Sequence, residues 1–332
     1  MTNVITAPML ANGLRSEFDR TYLDALNRQQ DGRLSMVMDL GVGATNRKHE
    51  FAYFEAAPHM EYWERGQSIP TDAFGSKSFE VPVYNWAKRI PWHKDDREDD
   101  QTQSLMAMAA ECGKSAALVS ERMFFNLLTN TADFLPAVPL APDGAAMFSG
   151  TDGASANRFG ISNGNLLSGS GLASSSAILG DYYSAIEQFL GFQDGQGQPL
   201  FSDQVVSSGA IVIHAAADTE AMETAFLQKR QGLVYGSNTA AATPTNIVLD
   251  ASRDVTLWGS PRLATGDWYV FLKGAPMLPT FYMERKALQE FTALEGDNNS
   301  DSVRNTGYEY IQWEMRAGAG IALPYGAIKI NN

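Results

Sequence analysis

One cysteine, Cys112, stands in a chain of 332 residues, so no disulfide framework forms within it and no Cys-x-x-Cys pair is present to hold zinc. The four histidines, His49, His59, His93 and His214, are scattered, and none stands in His-x-x-x-His spacing. Basic residues are scarce as well, 25 against 38 acidic, for a formal charge of −13. That balance argues against a protein that grips nucleic acid through its phosphates. No apolar run approaches the ~20 residues needed to span a bilayer. The opening MTNVITAPMLANG lacks the basic segment and apolar core of a signal peptide. These absences lead us to expect an intracellular product with no membrane span, no metal and no cofactor.

Catalytic motifs are missing too. The nearest approach to Gly-x-Ser-x-Gly, Ser168-Gly169-Ser170-Gly171, lacks the glycine spacing and a preceding buried strand, and reads as linker. Gly-x-Gly-x-x-Gly fails after Gly169 and Gly171, where Ser174 follows, and after Gly318 and Gly320, where Leu323 does; no Walker A sequence occurs. The acidic run Asp95, Asp96, Glu98, Asp99 and Asp100 departs from EF-hand spacing and reads as a solvated helix start, while Asp194 in DGQGQ reads as a turn. His214 ends an apolar strand and reads as a satisfied core or edge histidine. We expect no catalytic residue.

What is present centres on residues 101–130, QTQSLMAMAAECGKSAALVSERMFFNLLTN, a stretch without proline. Leu105, Met108, Cys112, Ala116, Val119, Met123 and Leu127 recur every three or four residues, and Met106, Ala110, Ala117, Phe124 and Leu128 make a second stripe beside them. The acidic run upstream places negative charge at the positive end of the helix dipole. At ~1.5 Å per residue the helix would be roughly 45 Å long, well above the mean for a compact domain. Cys112 on its apolar stripe behaves as a small hydrophobe.

Elsewhere the texture changes by segment. Residues 12–30 predict an amphipathic helix with Leu14, Phe18, Tyr22 and Leu26 on one face, ended by Asp31-Gly32. Residues 1–48 hold six basic and five acidic side chains, near +1, so the rest of the chain carries about −14 of the total −13. A mildly basic arm on an acidic body suits contact with acidic copies of the same chain. Residues 49–92 are aromatic, with four prolines and a turn-prone centre at 70–76, and predict a long two-stranded excursion. On its return limb Phe79, Val81 and Val83 alternate with Glu80 and Pro82, a pattern for an edge strand. An isolated hairpin is marginal in water, so one this long needs a partner surface.

Residues 136–176 are low in complexity and predict loop. A helix at 177–190 with Ile178, Tyr182, Ile186 and Phe189 inward, a strand over 204–215 and a helix over 218–231 with Met222, Ala225 and Phe226 inward follow. Further strands are predicted at 246–249, 268–273 and 280–285, which makes this block a mixed α and β domain. Residues 307–330 predict two short strands around a glycine turn, packed on the long helix.

Three local patterns carry a family resemblance. Phe51-Ala52-Tyr53-Phe54 with Pro58 and Glu61-Tyr62-Trp63-Glu64-Arg65-Gly66 is the first. The second runs from Ser78-Phe79-Glu80-Val81 through Ile90-Pro91-Trp92 to Asp95-Asp96 and Asp99-Asp100, and the third is Trp268-Tyr269-Val270-Phe271-Leu272 with Pro279-Thr280-Phe281. Together with the order of elements they resemble the major capsid protein of tailed phages with the Hong Kong 97-like fold, and more closely the Mu-like major head subunit family. Residues 136–176 depart from that pattern, keeping only Asp143-Gly144 and Met147-Phe148-Ser149.

The resemblance implies an α+β capsid fold: an N-terminal arm at 1–48, an extended loop at 49–94, a peripheral domain with the spine helix at 95–135 and 300–332, and an inserted axial domain at 136–299. It implies a shell subunit in a virion, assembled in the host cytoplasm from hexamers and pentamers of itself, with a separate scaffolding protein, portal and decoration proteins as partners and only weak contact with packaged DNA. An encapsulin-like cargo shell, another phage structural protein and a soluble enzyme are the rival readings. Aromatic and Arg side chains dominate interface hot spots, which makes Phe18, Tyr22, Trp63, Arg65, Phe74 and Phe79 the expected anchors between subunits. Gly113 is the expected bend of the spine helix.

Overall fold

The computed structural model describes residues 20–21, 32–54, 62, 68, 76–93, 95, 104–150, 164–193, 197–231, 254–293 and 301–332. A 3-10 turn at Leu34–Met36 leads into β1 (Met38–Gly43), β2 (Lys48–Phe54), β3 (Ser76–Pro82), β4 (Tyr84–His93) and the long helix α1 (Ser104–Thr129). Then come β5 (Leu166–Ser168), α2 (Ser175–Gly191), α3 (Asp203–Ser207), β6 (Ala210–Ala215), α4 (Thr219–Gln231), β7 (Val255–Ser260) and β8 (Trp268–Leu272). The chain closes with β9 (Thr280–Ala293), α5 (Asp301–Thr306), β10 (Tyr308–Ile321) and β11 (Ala327–Asn331).

Hydrogen bonding sorts the strands into a four-stranded sheet, β1-β9-β10-β4, a five-stranded sheet, β5-β11-β8-β6-β7, and the two-stranded β2-β3 hairpin. Sheet membership does not stop at residue 299: β9, from the segment expected for the axial domain, pairs with β10, whereas β11 joins the second sheet between β5 and β8. Three chain crossings, after β4 through α1, after β8 and after β10, thus tie the sheets together.

α1 is helical throughout its 26 residues, roughly 39 Å at ~1.5 Å per residue, and passes through Gly113 without a break. Asn130, with φ of 53°, turns the chain out of the helix. The Asn126 Oδ1 then accepts from the Phe134 and Leu135 amides, both at 2.9 Å, which fixes the exit. Only the second half of the helix is sunk in the core: Met123, Phe124, Phe125, Leu127 and Leu128 are buried, whereas Met108 is 41% exposed and Cys112 is half-buried. The expected apolar stripe therefore enters the core at its C-terminal end. Residues 96–103, with most of the acidic run, lie outside the described residues.

One core joins α1, α2, α4, the five-stranded sheet and the inner face of the four-stranded sheet. α2 starts where Ser174 Oγ accepts from the Ala177 amide, and it buries Ile178, Tyr182, Ile186 and Phe189 as its period requires. Met222, Ala225 and Phe226 of α4 are buried as well. His214 is buried, and its Nδ1 lies 2.8 Å from the Ala215 carbonyl oxygen.

Several expectations are corrected. Residues 204–215 are not one strand: α3 ends at Ser207, and β6 starts only after Gly209, whose φ of 127° and 2.3 Å approach of an added Cβ to the Asp254 carbonyl oxygen require glycine. Ser168-Gly169-Ser170-Gly171 is not a linker. β5 pairs in parallel with β11, and the buried Asp181 carboxylate accepts from the Ser170 amide and hydroxyl at 2.7 and 2.8 Å. Gly318 and Gly320 mark no turn but lie inside the 14-residue β10. β9 continues past residue 285 to Ala293, and β7 was not expected at all. The helix expected at 12–30 and the strand expected at 246–249 lie outside the described residues, apart from residues 20 and 21.

Candidate assembly surfaces

The hairpin is built from seven antiparallel pairs, from Lys48↔Pro82 to Phe54↔Ser76. Directly opposed residues share a face, so Phe51 and Phe79 stack with ring centroids 5.4 Å apart. Phe51 also meets His49 at 4.6 Å and Phe281 of β9 at 4.8 Å. These rings seat the hairpin's root on a second, smaller cluster of Ala44, Val81, Val83, Phe281 and Met283, on the face of the four-stranded sheet away from α1. Phe79 is half-buried there, in contact with its own subunit. Phe51 and Phe281 were not among the expected anchors; the signal for Phe51 was its direct pairing partner, visible only once the register is known.

Beyond the root, the described residues on the same sheet face are polar. Arg89 lies 4.6 Å from the centroid of the Tyr310 ring and donates to Gln312 Oε1 through Nε and Nη2, at 2.9 and 2.6 Å. Lys286 pairs with Glu314. The hydrogen bond from Lys286 holds the Glu314 carboxyl below its ordinary range, with Gln312 and Arg316 acting in the same direction and desolvation opposing them. At the strand ends His93 stands edge-on to Tyr308 and pairs with Asp95 at 3.2 Å.

On the opposite face, Trp86 stacks on Phe134 at 4.3 Å, and Glu309, fully buried, accepts from Trp92 Nε1 at 3.0 Å. The arm's root is anchored in the main core by Leu34, Val37 and Met38, by Thr280 Oγ1 donating to the Val37 carbonyl at 2.9 Å, and by Arg33 over Trp258 at 5.6 Å. Met36 and Leu40 beside it remain exposed. Of the expected anchors, Phe18, Tyr22, Trp63, Arg65 and Phe74 lie outside the described residues. Gly113 sits buried in the uninterrupted helix. The half-buried Cys112 thiol is pushed up by burial, with Lys88 opposing and Glu111 reinforcing.

A cleft of about 560 Å³ lies between the end of α1 and the 261–267 loop with the start of β8. Its charges face one another: Arg262 pairs with Glu121 at 3.0 Å, Lys329 with Asp267 at 2.6 Å, and Arg122 lies 4.1 Å over the Phe134 ring. It is an ion-paired seam between helix and sheet. Among the described residues no His, Cys, Asp and Glu cluster could hold a metal ion, and no helix is long and apolar enough to cross a membrane.

Solved structures share this architecture at low identity. The procapsid of bacteriophage JBD30 is 14% identical with a TM-score of 0.51, over 98% of this chain and 76% of that one. The capsid of cyanophage P-SCSP1u is 11% identical with a TM-score of 0.54, over 89% and 86%. A virus-like particle from Pyrococcus furiosus is 10% identical with a TM-score of 0.51, over 95% and 98%. At such identities the likeness speaks for the fold, the α+β Hong Kong 97-like fold that the sequence resembled. No curated protein matches the chain. The profile of the phage capsid proteins matches residues 77–330, from the return limb of the hairpin through α1 and both sheets into β11, and by that match the chain belongs to the phage capsid protein family.

Proposed function

We propose that this chain is the major capsid subunit of a tailed phage, which self-assembles through hexamers and pentamers into the icosahedral shell around the genome. The single observation that carries this reading is the family match over residues 77–330, supported by solved shells with the same fold. In it the chain has no enzymatic role and is geometric: each copy touches several neighbours, so modest contacts sum by multivalency. Residues 1–48 form the arm, 49–94 the extended loop, 95–135 and 300–332 the peripheral domain, and 136–299 the axial domain, with β1, β4 and β9 joining β10 in one sheet and β11 joining the other across that division. Phe18, Tyr22, Trp63, Arg65 and Phe74 anchor contacts between copies, while Phe79 ties the hairpin to its own body.

The Mu-like major head subunits are the nearer relatives, on the motifs around Phe51, Trp63 and Trp268. Assembly takes place in the host cytoplasm, with scaffolding, portal and decoration supplied by separate proteins. The net charge of −13 keeps packaged DNA in weak, non-specific contact. The test is electron microscopy of the purified full chain, alone and with its scaffolding protein. Closed icosahedral shells are expected, and a stable monomer or dimer under all conditions overturns the reading. The likeness to the Pyrococcus furiosus particle keeps a cargo shell as the second reading; the nucleic-acid content of particles from infected cells separates the two.

A further inference from the structure

β10 alternates two kinds of neighbour over its last turns of pleat. Ala317, Ala319 and Ile321 face the main core, whereas Gly318 and Gly320 face the root of the β2–β3 hairpin. A Cβ at Gly318 would stand 2.5 Å from the Pro82 carbonyl oxygen and 3.3 Å from the Val83 Cα. A Cβ at Gly320 would stand 2.4 Å from Phe281 Cζ and 3.0 Å from Val81 Cγ2. Neither glycine has a positive φ, so the backbone does not demand glycine at either place; the close approach of the β3 backbone does at Gly318, and that of the Phe281 ring and Val81 does at Gly320.

Pro82 is the last residue of β3, and the Val83 amide donates to the Arg47 carbonyl at 2.8 Å, just before β2. The groups that touch the two glycines are therefore the β3 leg of the hairpin where it leaves the body, which the Val83–Arg47 bond ties to the other leg, and the Phe281 ring on which the hairpin rests. Counted from its first pair, Lys48↔Pro82, the seven-pair ladder is ~24 Å long at ~3.4 Å per residue, so a tilt of ~5° about that pair moves its far end by roughly 2 Å. Packed interfaces do not absorb a shift of that size without rearrangement.

We propose that Gly318 and Gly320 are positioning residues of assembly, which set the angle at which the hairpin leaves the body and so the place on a neighbouring copy that it reaches. This rests on the shell reading above and adds to it which residues fix the geometry. Phe51, Phe79 and Phe281 hold the hairpin down on that seat, and the missing Cβ atoms let it come close enough to be held.

The full-length chain, Gly318→Ala, Gly320→Ala and the control Gly180→Ala, which has open space around its Cβ position, are compared by circular dichroism and by electron microscopy of assembly reactions. The two β10 variants keep the parent's helix and strand content but lose at least tenfold in the yield of closed shells, or give shells of scattered diameter. The control matches the parent. If parent and both β10 variants give shells of one diameter at one yield, the positioning role is overturned and the shell function stands. If the parent itself gives no shells, both fall, and the parent lane tells the two failures apart. Should Gly320→Ala fold poorly, adding Phe281→Leu removes the ring atoms that the new methyl meets. Recovery of parent-sized shells in that double variant supports the positioning role, and a double variant no better than Gly320→Ala alone overturns it.

Discussion

Tyr269 and Tyr282 are buried aromatic residues in the two different sheets, and burial pushes both phenols up, with Asp267 adding to the effect at Tyr269 and Glu284 at Tyr282. A phenol raised in the folded state contributes stability that is fully present below its unfolded value of about 10 and is lost as the pH rises through the folded value. Melting temperature should therefore fall from pH 9 to pH 11.5, and Tyr282→Phe should flatten part of that slope; a wild-type slope in the variant removes the assignment. Gly113 presents the opposite case, a residue whose cost is paid in the backbone. Replacing it with Ala removes about 1 kcal/mol of helix penalty. The variant should still assemble, while the transition from the first-formed to the expanded shell, followed by particle diameter, should change in rate. Unchanged maturation excludes Gly113 as the bend.

At the scale of elements, the hairpin and the arm share one design: each has a root fixed in the subunit. The hairpin's root is held by Phe51, Phe79 and Val81 on Phe281 and Met283. Replacing residues 55–75 with an Asn-Gly turn, which suits a two-residue connection, should leave secondary structure and melting close to the parent while closed shells vanish from electron micrographs. Shells of normal diameter from that variant would show that the hairpin serves only its own subunit. The arm's root, Leu34, Val37 and Met38, is sealed in the core with Thr280 bonded across it. Removing residues 1–31 should accordingly cost little in melting temperature and much in assembly, as read by sedimentation. A large drop in melting temperature would mean that the arm packs on its own body.

For the whole molecule, the clearest signs of a subunit made for contact are surfaces left open. The first half of α1 carries Met108, 41% exposed, and the half-buried Cys112 on its apolar stripe. One face of the four-stranded sheet carries the hairpin at one end and, at the other, a polar surface of Arg89, Gln312, Glu314 and Arg316. These are properties of a tile, consistent with the family to which the chain belongs.

Much of this was readable from the order of residues alone. Period decided α1, α2 and α4, because a helix face repeats every three to four residues whatever it packs against. The alternation of Phe79, Val81 and Val83 with polar or imino residues announced β3 for the same reason. The local motifs around Phe51, Pro91 and Trp268 were enough to suggest the family. Pairing was not readable. That β9 joins β1 and β10 while β11 joins β8 and β5 depends on contacts between residues far apart in the chain, which no local pattern records. Gly318 and Gly320 show the limit most plainly. In sequence a Gly-x-Gly beside a Leu-Pro reads as a turn, and only the hairpin lying 2.5 Å from an absent methyl reveals why glycine is there. Local backbone preference belongs to the sequence, whereas the space beside a residue is decided by whatever the fold brings to it.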